Sequence, residues 1–232
     1  VTYQSDLIFD VGMHLGVDTR YYLDRGFRVV AVEANPELVE RATGEFAKDI
    51  AAGKLIIENV GVYTEPGSLT FYVNESNSEW SSFRDVLGQR GGKFHAVVVD
   101  CVTMTSLVEK HGIPWYLKID VEGVDHLVVR DVAKFQSPPL YLSIEDNGIY
   151  SMVAMYEAGV RKFKFSNQIQ QQQKINPYTG AKFGDASSGV FGDDIEGPWM
   201  DAHTAFDFYV RKVRPPTGAP IDGWWDIHGV FR

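Results

Sequence analysis

Residues Leu7 to Thr19 read L-I-F-D-V-G-M-H-L-G-V-D-T, and no other stretch constrains the fold as much. Leu7, Ile8 and Phe9 form a short apolar run bounded by Ser5-Asp6, the pattern of a strand buried on both faces in a parallel sheet. Asp10 ends that run, and Gly12 and Gly16 follow it. Helical spacing then sets in with Val17, Tyr21 and Tyr22, up to Gly26. A strand, a glycine-bearing turn and a helix start gather backbone N–H groups and the positive end of a helix dipole in one place. A side chain in that turn is expected to hold a ligand off the backbone. Gly12→Val is therefore expected to block the ligand while leaving the fold largely intact. The middle glycine of G-x-G-x-x-G is missing, and His14 stands in that region.

Arg28 to Glu33 (R-V-V-A-V-E) is a second buried-type strand ending in an acid. Glu33 follows the turn by about twenty residues, the usual separation for a carboxylate that takes a ribose diol. The plainer alternative is a turn that serves only helix–strand packing, with Glu33 as a solvated strand end. Asn35-Pro36-Glu37 is a helix start, with Asn as N-cap and Pro at the first helical position. Leu38, Ala42 and Phe46 mark one helical face, and Gly53 ends it. Leu55 to Val60 is a third strand, so the first sixty residues read β-α-β-α-β, half of a doubly wound fold.

The alternation then breaks. A turn at Glu65-Pro66-Gly67-Ser68 leads to an edge or hairpin strand at Leu69 to Val73, a polar loop from Asn74 to Ser82, a strand within Phe94 to Val102 and a short helix from Met104 to His111. Insertions at the ligand end of a sheet commonly shape a substrate pocket. Trp115 to Asp120 and Leu140 to Glu145 return to the core-strand pattern, with a helix between them carrying Val124, Leu127, Val128 and Val132 on one face. Met152 to Ala158 reads as helix, Arg161 to Ser166 as a half-exposed strand, and Asn167 to Lys174 as loop or frayed helix. Asn176 to Trp199 is a long Gly/Ser/Asp-rich loop, of the kind that is either functional or mobile. Phe206 to Val210 reads as a last strand, and Trp224-Trp225 lies in an aromatic tail packing back on the domain.

A formal net charge of −9 gives the chain no general pull on nucleic acid or an anionic membrane surface. Its tight basic clusters are Arg161-Lys162-Phe163-Lys164 and Arg211-Lys212-Val213-Arg214. The single cysteine, Cys101, rules out an intrachain disulfide and reads as a buried strand-end residue. No stretch is long and apolar enough to cross a membrane, and the opening V-T-Y-Q-S-D lacks the pattern of a signal peptide. The expectation is a cytoplasmic enzyme with no nucleic-acid or membrane partner. The histidines show no paired ligand spacing, so no metal ligands are assigned. Asp120, Glu122, Glu145 and Asp146 are the oxygen donors a Mg²⁺ ion would find, which leaves a divalent metal open.

Three stretches in order carry a family resemblance: D-V-G-M-H-L-G-V-D-T at Asp10 to Thr19, V-V-A-V-E-A-N-P at Val29 to Pro36, and L-K-I-D-V-E-G at Leu117 to Gly123. Weaker echoes are Ser81-Ser82, V-T-M-T-S-L at Val102 to Leu107 and F-K-F-S-N-Q at Phe163 to Gln168. On these the chain resembles the FkbM-type methyltransferases, class I enzymes that use S-adenosylmethionine. His14 departs from the family's more frequent Asn, and Thr105 from its usual Asp. The resemblance implies a Rossmann-like α/β fold, a mostly parallel doubly wound sheet with a β segment inserted after the third strand. One domain over 1–232 is expected, with a cofactor half at about 1–62, an insertion at about 63–112, and the remaining core and substrate-side loops at 113–232.

The resemblance also implies S-adenosylmethionine as cofactor and S-adenosylhomocysteine as product. The methionine end would lie over the turn, with Asp10 near its amino group and Gly12, Met13, His14, Gly16 and Thr19 around it. Glu33 would take the ribose, with Ala34 beside it and adenine near Val60. Ser82 and Asp120 complete the implied cofactor set. The implied chemistry is O-methylation of a small molecule or glycan by in-line methyl transfer. Asp120 and Glu122, two apart at a strand's end, would point to the same side of an extended chain. Asp120 is expected to orient the cofactor and Glu122 to meet the acceptor as base or anchor, with Glu145 the alternative base. Glu122 as the cap of the following helix is the competing reading. The other functions weighed are an NAD(P)-type dinucleotide-dependent oxidoreductase, supported by the turn and Glu33, and a non-catalytic Rossmann-like scaffold module.

Overall fold

The computed structural model describes residues 3–216 and 218–231. Its main sheet is built from β1 (Gln4–Val11), β2 (Arg28–Val32), β3 (Leu55–Glu58), β7 (Pro114–Ile119), β8 (Tyr141–Glu145), β9 (Lys162–Asn167), β10 (Met200–Asp201) and β11 (Trp225–Val230). Their spatial order is β10-β9-β11-β8-β7-β1-β2-β3. The five strands from β3 to β8 run parallel, and β11 enters antiparallel between β8 and β9. A second, three-stranded sheet is formed by β4 (Gly61–Val62), β6 (Phe94–Val102) and β5 (Gly67–Asn74), in the order β4-β6-β5. This is the α/β arrangement expected, with the inserted β segment standing after the third strand.

The main sheet is buried on both faces because its strands alternate between two apolar layers. Leu7, Phe9, Val30, Val32, Leu117 and Ile119 face one core. Helices α5 (Met104–His111), α6 (Asp125–Val128), α7 (Ile149–Glu157) and α9 (Ala202–Phe208) supply it with Met104, Val128, Met152 and Ala205. Ile8, Val29, Ala31 and Tyr116 face the other, against α1 (Val17–Asp24) and α2 (Pro36–Glu45). Around β7 the 176–199 loop covers that second face, burying Phe183 and Phe191, and Phe191 stacks on Tyr116 with ring centroids 4.1 Å apart. The loop is thus a packed layer of the domain. Asn35 caps α2 by accepting from the Glu37 N–H, as its position before Pro36 implies.

Four sequence expectations need correction. The third strand stops at Glu58, because the chain leaves the main sheet at Gly61 to pair with β6. Residues 206–210 are helical rather than a strand. Asp201 caps α9 by accepting from the Thr204 N–H, and Ala205, Tyr209 and Val213 are buried at a spacing of four, the last two on a π-helical turn. The alternating aromatics of F-D-F-Y-V imitate a strand, and the cap and the apolar spacing override them. The aromatic tail is β11, hydrogen-bonded on both sides. With β11 on one side and β10 on the other, the stretch expected as a half-exposed strand at Arg161 to Ser166 lies in the interior strand β9, so Lys164 is buried with its Nζ donating to Ile195 O. The 168–173 segment, α8 (Gln168–Gln173), is a regular turn of helix capped by Asn167. No helix among the described residues is long and apolar enough to cross a membrane.

The two late segments separate cleanly by mutation. Ile227 is fully buried in β11 and Phe206 is 49% exposed on α9. Ile227→Ala should cost about 2–5 kcal/mol in urea unfolding, and Phe206→Ala less than about 1 kcal/mol. Equal costs would return residue 206 to a buried strand.

Candidate active site

A cavity of about 510 Å³ opens at the carboxyl ends of the parallel strands. It straddles the point where strand order reverses, between β1 and β7, where ligands of open α/β sheets gather. Its lining runs from Glu33 after β2, through Gly12 after β1, Asp120 after β7, Glu145 on β8 and Asp226 on β11, to Gln168 after β9. Six adjacent strand ends at about 4.8 Å spacing span roughly 24 Å. The trough is therefore long enough for two ligands end to end.

At the β2 end, Glu33 is 7% exposed and each carboxylate oxygen accepts one backbone N–H, from His14 (2.8 Å) and from Asn35 (2.8 Å). Burial pushes its carboxyl up and these N–H groups oppose the push. Two oxygens offer about four lone pairs, so acceptor capacity remains toward the cavity. The wall beyond is apolar: Ala34, Leu38, Val60, Val62, Phe71 and Phe83. Phe71 and Phe83 come from the small sheet and its loop, so the insertion closes this end. Above it, His14 Nε2 lies 2.7 Å from Ser78 Oγ on the 74–82 loop.

The glycine turn works differently from expectation. A Cβ on Gly12 (φ 87) would stand 1.7 Å from Asp120 O, and one on Gly16 (φ 75) would stand 2.7 Å from the Phe46 ring. Neither would enter the cavity. The Gly12 and Met13 N–H groups donate to Val32 O, the His14 N–H to Glu33 and the Gly16 N–H to Met13 O, so these four amides are not free for a ligand. The glycines are there for close chain packing, and Gly12→Val would strike the fold before any ligand. Asp10 and Thr19 are also behind the turn: both are fully buried, with Thr19 Oγ1 donating to Asp10 Oδ2 (2.6 Å), and neither lines the cavity. Ser82 is likewise not in the lining; its hydroxyl donates to Glu122 O (2.7 Å) and ties the insertion to the β7 loop.

In the middle of the trough, oxygens of Asp120, Glu122 and Glu145 all lie within 4.8 Å of one another, close enough to share a cation or a proton. The route to this meeting is not an extended chain. Glu122 has φ 48, and Asp125, the first residue of α6, braces the loop before it: Oδ1 accepts the Val121 N–H and Oδ2 the Gly123 N–H, while Glu122 does not cap the helix. Glu122 is left to face its neighbours. Burial, then the adjacent Asp120 and Asp125, push its carboxyl up to about 9, while burial followed by Glu122 and Asp120 pushes Glu145 well up. Asp146 takes no part; it is buried and accepts from Tyr209 Oη, Arg214 and the Gly148 N–H.

One cation, Lys118, stands beneath this cluster, with Nζ 2.9 Å from Asp18, 3.3 Å from Asp120 and 3.7 Å from Asp10. Burial pulls its ammonium down, but the three carboxylates outweigh that and hold it well above its ordinary value. Asp18 also accepts from Ser187 Oγ and the Ser188 N–H, which pins the late loop to the start of α1 and makes Ala186, Ser187 and Ser188 part of the cavity wall. Sequence reasoning passed over Lys118, although a lysine inside the otherwise apolar W-Y-L-K-I-D was a visible signal. It also missed Asp226, Gln168 and Trp224, whose positions depend on β11 being a strand.

The family model of the methyltransferase FkbM domain matches residues 10–163, well over half of the 232 residues. The chain belongs to the FkbM methyltransferase family. Its fold is a mostly parallel, doubly wound α/β sheet of the Rossmann-like kind. Among solved structures it is similar to the methyltransferase FkbM from Methylobacillus flagellatus KT, at 12% identity and a TM-score of 0.43, over 72% of this chain and 40% of that one. It is also similar to the precorrin-6y C5,15-methyltransferase from Geobacter metallireducens GS-15, at 9% identity and a TM-score of 0.41, over 97% and 80%. The chain spans less than half the length of the Methylobacillus protein. No curated protein matches it. Gln168, the 186–188 segment, Trp224 and Asp226 all lie beyond the stretch matched to the FkbM family.

Two outcomes follow from the geometry. Gly12→Ala should cost at least about 3 kcal/mol in denaturant unfolding, because a left-handed φ and a backbone oxygen both oppose the methyl group; a variant of normal stability would contradict the packing role. Glu122, at about 9 in the folded chain against an ordinary 4.5, keeps a proton there that the unfolded chain has shed between those pH values. Its contribution to stability therefore falls as pH rises through that window. Thermal melts should show Glu122→Gln gaining stability relative to the parent at pH 8 compared with pH 5; the same difference at both would reject the raised value.

Proposed function

We propose that this FkbM-family chain is an S-adenosylmethionine-dependent O-methyltransferase acting on a hydroxyl of a small molecule or glycan. The observation that carries the reading is one trough with Glu33 and an apolar wall at one end and the Asp120–Glu122–Glu145 cluster in its middle. Glu33 retains acceptor capacity for a ribose diol, and Ala34, Val60 and Phe71 suit the faces of an adenine. Met13, His14 and Asp120 flank the path between nucleoside and acid cluster. When bound, the cofactor supplies an electrophilic methyl group on a sulfonium.

The chain's own residues then have two tasks. The first is positioning: the trough walls hold donor and acceptor in line at about 3 Å, with Asp120 fixed by its ion pair to Lys118. The second is proton handling. A hydroxyl sheds its proton as the new bond forms, and a carboxylate of the cluster accepts it. Burial and mutual repulsion push the Glu122 and Glu145 carboxyls up, toward their protonated forms, and a cation bound over them favours their ionised forms. Glu122 is the base or hydrogen-bond anchor in this reading, with Glu145 the alternative. The same three oxygens would suit a divalent metal, whose part in the reaction is left to experiment.

Two observations weigh against a dinucleotide-dependent oxidoreductase. The Gly12, Met13, His14 and Gly16 amides are spent on Val32, Met13 and Glu33, and the Gly12 Cβ direction faces Asp120 rather than a pyrophosphate. A non-catalytic scaffold would have no use for three partly buried carboxyl groups held together against their repulsion.

Calorimetry with S-adenosylmethionine and S-adenosylhomocysteine tests the proposal. Both should bind, and Glu33→Ala should weaken both by roughly ten- to a hundredfold, the loss of hydrogen bonds to a charged acceptor. Unchanged affinity in the variant would remove Glu33 from the cofactor site. Absence of binding by the parent would remove the cofactor.

A further inference from the structure

We infer that the β9 end of the trough is a polyol subsite, which makes the methyl acceptor a neutral, polyhydroxylated ring such as a sugar; this rests on the methyltransferase reading above. The subsite is where Glu145, Asp226, Gln168, Gln172 and Trp224 line one wall. Asp226 lies directly across from Glu145 in the β8–β11 register, which puts both side chains on the same face. Gln168 is held against β11 by its N–H to Trp224 O (2.9 Å). Four of these five residues lie outside the stretch matched to the family, as a wall specific to this chain's own acceptor would.

The polar atoms there are short of partners. Gln168 is 3% exposed, and its Nε2 has no hydrogen-bond partner among the described residues. Asp226 is 6% exposed; the Ser188 hydroxyl hydrogen-bonds it, and Asp120, Lys118 and Asp18 act on it through their charge. Glu145 has one long contact, to Asn147 Nδ2 at 3.5 Å. Buried polar groups are rarely left unmet in a finished complex, so the ligand must meet them. It must serve carboxyl groups at Asp226 and Glu145, which accept when ionised and also donate when protonated, and it must accept from Gln168. A hydroxyl group does both, and serves the Gln168 carboxamide in either orientation about its last torsion. An ammonium donates only and leaves Gln168 unmet. A phenol has too few hydroxyls for the four polar side chains, and a carboxylate accepts only and meets like charge wherever Asp226 or Glu145 is ionised. The Trp224 indole, 47% exposed at the rim, offers a flat apolar surface to the C–H face of a ring.

The test uses the full chain with labelled S-adenosylmethionine, Mg²⁺ present throughout, and four acceptor sets: methyl α-glucoside, methyl α-mannoside and myo-inositol; spermidine; catechol; and glucuronate. The expected result is label in a member of the neutral polyol set, recovered as an alkali-stable methyl ether. Gln168→Leu and Trp224→Ala should then each lower kcat/KM for that acceptor roughly ten- to a hundredfold, with S-adenosylmethionine affinity within about twofold of the parent by calorimetry. Cofactor affinity reports that each variant is folded. Label in spermidine, catechol or glucuronate but in no neutral polyol overturns the inference, as does unimpaired polyol turnover in both variants. Cofactor binding with no label in any polyol also overturns the inference and leaves the methyltransferase reading standing. Failure to bind the cofactor overturns that reading itself.

Discussion

The buried ammonium of Lys118 is the interaction on which the rest of this structure depends. It sits at the middle of the sheet and draws Asp10 of β1, Asp18 of α1 and Asp120 of the β7 loop to one point. Each of those carboxylates would be costly to bury alone. Together they outweigh the cost of burying the lysine, and the lysine in turn keeps three negative groups from repelling one another apart. Asp18 carries the arrangement further, because its second set of bonds holds Ser187 and Ser188. One cation thus sets the distance between the glycine turn, the acid-bearing loop and the late loop. Those three segments are the floor and one wall of the trough.

Charge is distributed unevenly around that point. Below the trough the acids have a cation, and within it Glu122, Glu145 and Asp226 have none at comparable distance. Proton retention is the cheapest answer for such groups, and burial pushes all three upward. A protonated carboxyl group can donate as well as accept, so these upward shifts make the trough a hydrogen-bonding surface as well as an anionic one. A ligand with a positive centre over the middle of the trough changes that balance and recovers carboxylates where a departing proton needs them.

Much of this was legible in the residues. The β-α-β-α-β start, the Asn35-Pro36 helix start, the inserted β segment and the acids at successive strand ends all follow from local pattern, and the K-I-D-V-E-G stretch carried the family. The illegible parts have physical reasons. F-D-F-Y-V alternates like a strand, and only the Asp201 cap and the spacing of Ala205, Tyr209 and Val213 reveal the helix. W-W-D-I-H-G-V lies at the far end of the chain from the strands it joins, so nothing local announces that it divides β8 from β9. Missing that strand hid Asp226 and misjudged Lys164. The direction of a missing Cβ is also invisible in sequence, and for that reason Gly12 was read as making room for a ligand when it makes room for Asp120 O.

Backbone conformation points to the same place as the side chains. Among the described residues, four that are not glycine have a left-handed φ: His14, Glu122, Ala186 and Asp222. The first three line the trough, one from the turn, one from the β7 loop and one from the late loop. Such conformations cost of order 1–3 kcal/mol each and persist only where the surroundings over-determine them. Those surroundings are identifiable. Glu33 and Ser78 hold His14 at its N–H and its ring, Asp125 and Ser82 hold the chain on either side of Glu122, and Asp18 holds the residues after Ala186. Relaxing Glu122 to an ordinary φ would swing its carboxyl group away from Asp120 and Glu145 and relieve their repulsion. Instead Asp125, which accepts the Val121 and Gly123 N–H groups, and the cross-segment hydrogen bond from Ser82 keep the three acids facing one another. Packing alone has no need of that arrangement, and the proposed reaction, which takes up a proton beside a cation, would use it.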